Sequence, residues 1–129
     1  MAPVHSATCL VVDDEPLIRW SLVRFLEARG LEARSVASGE LALALLREWP
    51  VDLLITDVRL PGMDGLELAK RCQDLRAHQL VILVTGSGSP PLPPDLNPLG
   101  VLGVIEKPFI LDSLAHLLAS ASWAQYCSH

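Results

Sequence analysis

The chain has 129 residues, a formal net charge of −5 and a hydrophobic share of 50%. That length fits about one domain at ~100–200 residues each, and it is enough to bury a core without covalent staples. The apolar share excludes a disordered chain, and the mild acidity lacks the basic footprint of a nucleic-acid binder.

Cys9, Cys72 and Cys127 make an odd count with no repeating spacing, which argues against a disulfide framework. Cys9 lies in an apolar run and is expected in the core, whereas Cys127 is expected as a free thiol near the terminus. No metal-type spacing joins the cysteines to His5, His78, His116 or His129, and none of the four histidines is read as a ligand or a phosphorelay group. Met1 to Ala7 lacks a basic patch followed by an apolar run, so it is not a signal peptide. No apolar stretch reaches the ~18 residues of a membrane span. A cytoplasmic domain over residues 7–124, between short tails at 1–6 and 125–129, is the expectation.

Thr8 to Val12 is a short apolar, β-branched run that ends at Asp13-Asp14-Glu15, as a strand buried on both faces would. Pro16 suits a first helical turn. Leu17, Ile18, Leu22, Phe25 and Leu26 then recur at helical spacing until Gly30 stops the helix. Leu31 to Val36 reads as a weaker second strand. Ser38-Gly39-Glu40 opens a helix over Leu41 to Trp49, closed by Pro50. Val51 to Thr56 is a third strand, ending at Asp57. Leu60-Pro61-Gly62-Met63-Asp64-Gly65 carries turn signals, and Asp64-Gly65 reads as turn and cap chemistry only. A helix over Leu66 to Ala77, a strand over Leu80 to Val84 ending at Thr85, and a strand over Val101 to Ile105 ending before Lys107 follow. Phe109 to about Trp123 reads as one last helix. Trp20, Trp49 and Trp123 read as packing or surface residues.

Between the last two strands the alternation calls for a helix, but Ser87 to Pro98 holds five of the ten prolines. An interior proline costs ~3 kcal/mol of helix, so this segment is expected as an irregular loop, pinned to the sheet by Leu92, Leu96 and Leu99.

Strands alternating with helices imply a parallel sheet covered on both faces. Ligands of such sheets bind beyond the carboxyl ends of the strands. Asp13, Asp14, Asp57, Thr85 and Lys107 all fall at those ends, so the fold would gather them at one rim. Three carboxylates suit Mg²⁺, a hard cation with oxygen ligands. A carboxylate such as Asp57 can also attack phosphorus, with Lys107 as a compact charge and Thr85 as a hydrogen-bond donor for phosphoryl oxygens. Taken singly the residues say less: acids after a strand often serve as helix caps, and a lone lysine is usually solvated.

The runs Leu10-Val11-Val12-Asp13-Asp14-Glu15, Thr56-Asp57-Val58-Arg59-Leu60-Pro61-Gly62-Met63-Asp64-Gly65 and Lys107-Pro108-Phe109 resemble the signature of response regulator receiver domains, over about Ala7 to Ala124. The resemblance implies a doubly wound, five-stranded, flavodoxin-like α/β fold. It implies Asp57 as phosphoacceptor, Thr85 and Lys107 as its partners, and Mg²⁺ held by Asp14 and Asp57, by Asp13 largely through a water, and by the Arg59 carbonyl. It implies a sensor histidine kinase or phosphotransfer protein as donor, and a cis Lys107–Pro108 bond. A downstream protein partner and a homodimer are left open; direct nucleic-acid or membrane contact is not expected. By this resemblance the chain is no enzyme beyond its own phosphorylation and dephosphorylation.

Two departures touch the output. Val104 stands where the family usually carries an aromatic residue, and the proline-rich segment replaces the fourth helix. They keep open a second function, a pseudo-receiver that binds protein without phosphorylation. A dehalogenase-type phosphatase would need an acid two residues after the nucleophile, and Arg59 occupies that place.

Overall fold

The computed structural model describes residues 7–128, so the expected 1–6 tail, His5 and His129 lie outside the described residues. Five strands form one parallel sheet: β1 (Thr8–Val12), β2 (Glu32–Val36), β3 (Leu53–Asp57), β4 (Leu80–Thr85) and β5 (Val101–Glu106), in the order β2-β1-β3-β4-β5. This is the flavodoxin-like order. Every residue of β3, the central strand, is buried, which explains its near-continuous apolar sequence. β2 lies at an edge and buries none of its residues fully, hence its weak sequence signal.

Successive side chains along a strand point to opposite faces, and the apolar residues divide accordingly. Leu10, Val12, Leu54, Val81 and Leu83 pack under α2 (Gly39–Glu48) and α3 (Gly65–Leu75) through Leu43, Leu46, Leu68 and Cys72. Val11, Leu53, Ile55, Ile82 and Val84 pack on the other face, against Leu22 and Leu26 of α1 (Pro16–Ala28) and Leu114 of α4 (Ile110–Leu118). Cys9 and Cys72 are buried free thiols, while Cys127 is exposed.

The proline-rich segment forms no α-helix; its one helical piece is a 3₁₀ turn at Asn97–Leu99. Leu92, Leu96 and Leu99 pack on the α2–α3 side of the core, as the sequence predicts. Gln73 Nε2 clamps the far end by donating to the carbonyls of Leu99 (3.0 Å) and Gln79 (2.7 Å). Gly100 takes φ 69° there, and a Cβ would run into the Gln79 carbonyl. Only glycine combines that φ with that approach.

The single last helix expected over Phe109 to Trp123 is instead two, α4 and α5 (Ala121–Cys127). Ser120 causes the break. Its backbone is extended (φ −71°, ψ 156°), and its hydroxyl donates to the Leu117 carbonyl at 2.6 Å and caps α5 by accepting from Trp123 N at 3.3 Å. Serine favours this position because its oxygen satisfies an orphan N–H. α5 runs to Cys127, three residues past the expected domain end at residue 124. Trp123, only 6% exposed, joins the α1–α4 side of the core and stacks on Tyr126 at 5.5 Å.

Candidate functional site

β1 ends at Val12 and turns at once into α1, whose first residue is Pro16. The Asp13 carboxyl is therefore held at the sheet rim, 2% exposed, while Asp14 projects into solvent. Capping does not consume these acids. Glu15 is the N-cap but makes no side-chain cap bond, and the one backbone amide that these carboxylates take is that of Glu15, donated to Asp13 Oδ1 at 2.8 Å. Arg19 donates to the Asp13 carbonyl at 2.8 Å and fixes this turn.

Asp57 ends β3 and is 4% exposed. Its Oδ1 accepts from Arg59 N at 3.0 Å, and its Oδ2 pairs with Lys107 Nζ at 2.7 Å. The same ammonium lies 3.7 Å from Asp13 and 3.8 Å from Glu15. One cation thus faces three carboxylates. Asp13, Asp14 and Asp57 each offer a carboxylate oxygen within 4.8 Å of the others. Burial drives the Asp13 pKa up to about 6. The Glu15 amide and Lys107 oppose the rise, and the charges of Asp57 and Glu15 add to it. Burial alone would lower the Lys107 pKa, but the hydrogen bond to Asp57 and the charges of Asp13, Asp57 and Glu15 outweigh it and raise it. The ammonium therefore stays charged at neutral pH.

Glycines make the approach possible. A Cβ on Gly65 would run into the Asp57 carbonyl, and one on Gly86 would lie 3.3 Å from Lys107 Cδ. The Lys107–Pro108 peptide is cis. Asp14, Glu15, Asp57, Arg59, Gly86, Ser87, Ser89 and Lys107 line a cleft of ≈ 730 Å³.

The structure brings together four of the expected side chains, Asp13, Asp14, Asp57 and Lys107, and carries Arg59 on the adjoining loop. Thr85 sits at the rim, but its hydroxyl donates to the Ile105 carbonyl at 3.5 Å, and it does not line the cleft. Val104 is 39% exposed on β5. His78 and His116 lie apart from the acidic group.

A polar cluster at the opposite pole was not foreseen. Asp52, just before β3, accepts from Thr8 N (2.8 Å), Thr8 Oγ1 (3.1 Å) and Tyr126 Oη (2.7 Å). Arg76 lies 3.9 Å away and donates to the Val51 carbonyl. Burial would raise the Asp52 pKa, but those hydrogen bonds and Arg76 together lower it. Asp52 and Tyr126 are 74 positions apart, and neither belongs to a motif, so no sequence signal pointed to the pair.

The fold and this rim define a doubly wound α/β protein with an acidic, lysine-paired site at the carboxyl ends of its strands. The chain belongs to the response regulator receiver domain family, whose model matches residues 9–119. It is 40% identical over 109 residues to the transcriptional regulatory protein FixJ of Azorhizobium caulinodans, covering 83% of this chain and 48% of that protein. It is 34% identical over 107 residues to the response regulator receiver protein CpdR of Brucella abortus, covering 83% of this chain and 89% of that one. The chemotaxis response regulator CheY4 of Vibrio cholerae superposes with a TM-score of 0.74 at 31% identity, covering 88% of this chain and all of the other. The chain spans about half the length of that FixJ, and a quarter of the C4-dicarboxylate transport regulator DctD of Pseudomonas aeruginosa.

Proposed function

We propose that the chain is a phosphoacceptor module of a two-component system that takes a phosphoryl group onto Asp57 from the phosphohistidine of a sensor kinase or phosphotransfer protein. The observation that carries the reading is the pairing of a buried carboxylate at the end of the central strand with a lysine at 2.7 Å, beside two further carboxylates. Nothing in core packing calls for such a group, because clustered carboxylates repel one another and favour binding a cation.

An Asp57 carboxylate oxygen attacks phosphorus. The O–P bond forms as the P–N bond to the donor imidazole breaks, and the electron pair returns to the imidazole nitrogen. Such transfers are catalysed mainly by positioning and charge neutralisation. Arg59 N and Lys107 hold Asp57 in place, and Lys107 then follows the charge onto a phosphoryl oxygen. The Thr85 hydroxyl reaches another phosphoryl oxygen only after leaving the Ile105 carbonyl. The donor set fits Mg²⁺: three carboxylate oxygens within 4.8 Å suit a hard, oxygen-seeking cation. Asp13, Asp14, Asp57 and the Arg59 carbonyl would hold it, and it would supply positive charge to the phosphoryl oxygens. The reading places the domain in the cytoplasm with its donor.

Intact mass after incubation with acetyl phosphate and Mg²⁺ tests the reading, with one added phosphoryl group expected on the wild type and none on Asp57→Asn. The pseudo-receiver reading has the inward-turned Thr85 hydroxyl and the missing fourth helix in its favour. An unchanged wild-type mass would select it.

A further inference from the structure

The proline-rich segment takes the place of a helix between β4 and β5, and its two ends are held differently. At the far end, Gln73 Nε2 donates to the Leu99 carbonyl at 3.0 Å and to the Gln79 carbonyl, just before β4, at 2.7 Å. At the near end the Lys107 stem packs against Gly86, and the only side chain that hydrogen-bonds to the turn from outside the segment, among the described residues, is that of Arg59. Its guanidinium donates to the Ser87 carbonyl at 3.4 Å and lies against Gly88, where a Cβ would fall 2.5 Å from Nη1. Gly88 has φ 82°. The turn it belongs to is closed locally by Gly86 N on Ser89 Oγ (3.0 Å) and Ser89 N on the Gly86 carbonyl (3.1 Å).

Arg59, Ser87 and Ser89 line the same cleft as Asp57 and Lys107. The Arg59 clasp is long for an N–H···O bond, whose usual range is 2.7–3.2 Å, and its acceptor is a neutral carbonyl. A guanidinium binds phosphoryl oxygens through shorter, charge-assisted and often bidentate bonds. Its fork geometry suits that target far better than a single carbonyl. A phosphoryl group on Asp57 would therefore compete for Arg59 and win.

We infer that Arg59 transmits the state of Asp57 to the proline-rich segment. Its guanidinium clasps Ser87 while Asp57 is bare and transfers to the phosphoryl oxygens once Asp57 is phosphorylated, which frees the Gly86–Ser89 turn. The inference rests on Asp57 as phosphoacceptor. It explains how a chain without the usual fourth helix signals, and it puts the responsive surface on the loop after β4. The far end, anchored by Gln73 and Leu99, stays in place, so the change is confined to the half of the segment nearest the cleft.

Amide exchange at Gly86 and Ser89 tests it, measured by NMR on the full chain as wild type, Arg59→Gln and Arg59→Lys, each with and without acetyl phosphate and Mg²⁺. Mass spectrometry on the same samples records phosphoryl occupancy. In the wild type, phosphorylation should speed exchange at Ser89 roughly two- to tenfold, the worth of one ordinary hydrogen bond. Bare Arg59→Gln should already exchange at that faster rate and gain little more on phosphorylation. Arg59→Lys, which keeps the charge but loses the fork, should fall between. Exchange in bare Arg59→Gln as slow as in the bare wild type overturns the clasp, and so does an equal phosphorylation response in wild type and Arg59→Gln. A wild type that gains no phosphoryl mass overturns the acceptor reading instead, and the transmission role with it, while the bare Arg59→Gln sample still reports whether the clasp exists.

Discussion

Asp14→Ala separates the cost of the acidic cluster from its use. At 4.8 Å and an effective dielectric near 20, two carboxylates repel by about 3.5 kcal/mol before solvent screening. Asp14 is exposed, so screening cuts its share to about 1 kcal/mol or less. Without metal, then, the variant should melt close to the wild type or slightly above it. With Mg²⁺ in hundredfold excess over its Kd, the wild type should gain about 2.7 kcal/mol. At about 4 °C per kcal/mol for a domain of this size, that is a rise of ~10 °C in Tm. Asp14→Ala should lose most of that rise. Circular dichroism melts in EDTA and in a Mg²⁺ series provide the assay. An equal Mg²⁺-induced rise in both proteins would refute the assignment of the cation to this cluster, as would a wild type indifferent to Mg²⁺.

Trp123→Ala should cost about 3–5 kcal/mol, the usual range for emptying a buried aromatic site, because the ring is 6% exposed between α5 and the core. Urea unfolding would show it as a lowered midpoint, and a cost below about 1 kcal/mol would mean that α5 is not docked. The Asp52 pKa is lowered in the fold, so its carboxylate stabilises the fold above the unfolded value near 3.9. That contribution is lost as pH falls through the folded value. Asp52→Asn should therefore melt below the wild type at pH 7, with the gap narrowing as pH falls below about 3.9; a gap independent of pH would show that the Asp52 charge is not what holds Tyr126 and Thr8.

The central sheet was legible because β1, β3 and β4 are buried on both faces and therefore read as unbroken apolar runs. The site was legible for the same reason, since a parallel sheet brings the carboxyl ends of distant strands to one rim, and Asp13, Asp57 and Lys107 sit immediately there. The missing fourth helix followed from the prolines alone. The division of the last helix did not, because Leu114, Leu117, Leu118 and Ala121 keep helical spacing straight through the break. The one local signal was Ser120, three residues before Trp123, and serine is tolerated inside helices often enough to hide a cap. The direction of the Thr85 hydroxyl depends on which neighbouring carbonyl it finds, and the Asp52–Tyr126 pair joins segments that only the folded chain brings together.

The most direct measurement of the central claim is intact mass of the wild type and Asp57→Asn after acetyl phosphate and Mg²⁺. The acceptor account predicts a single added phosphoryl group on the wild type, none without Mg²⁺ and none on Asp57→Asn. Undiminished labelling of Asp57→Asn would contradict it.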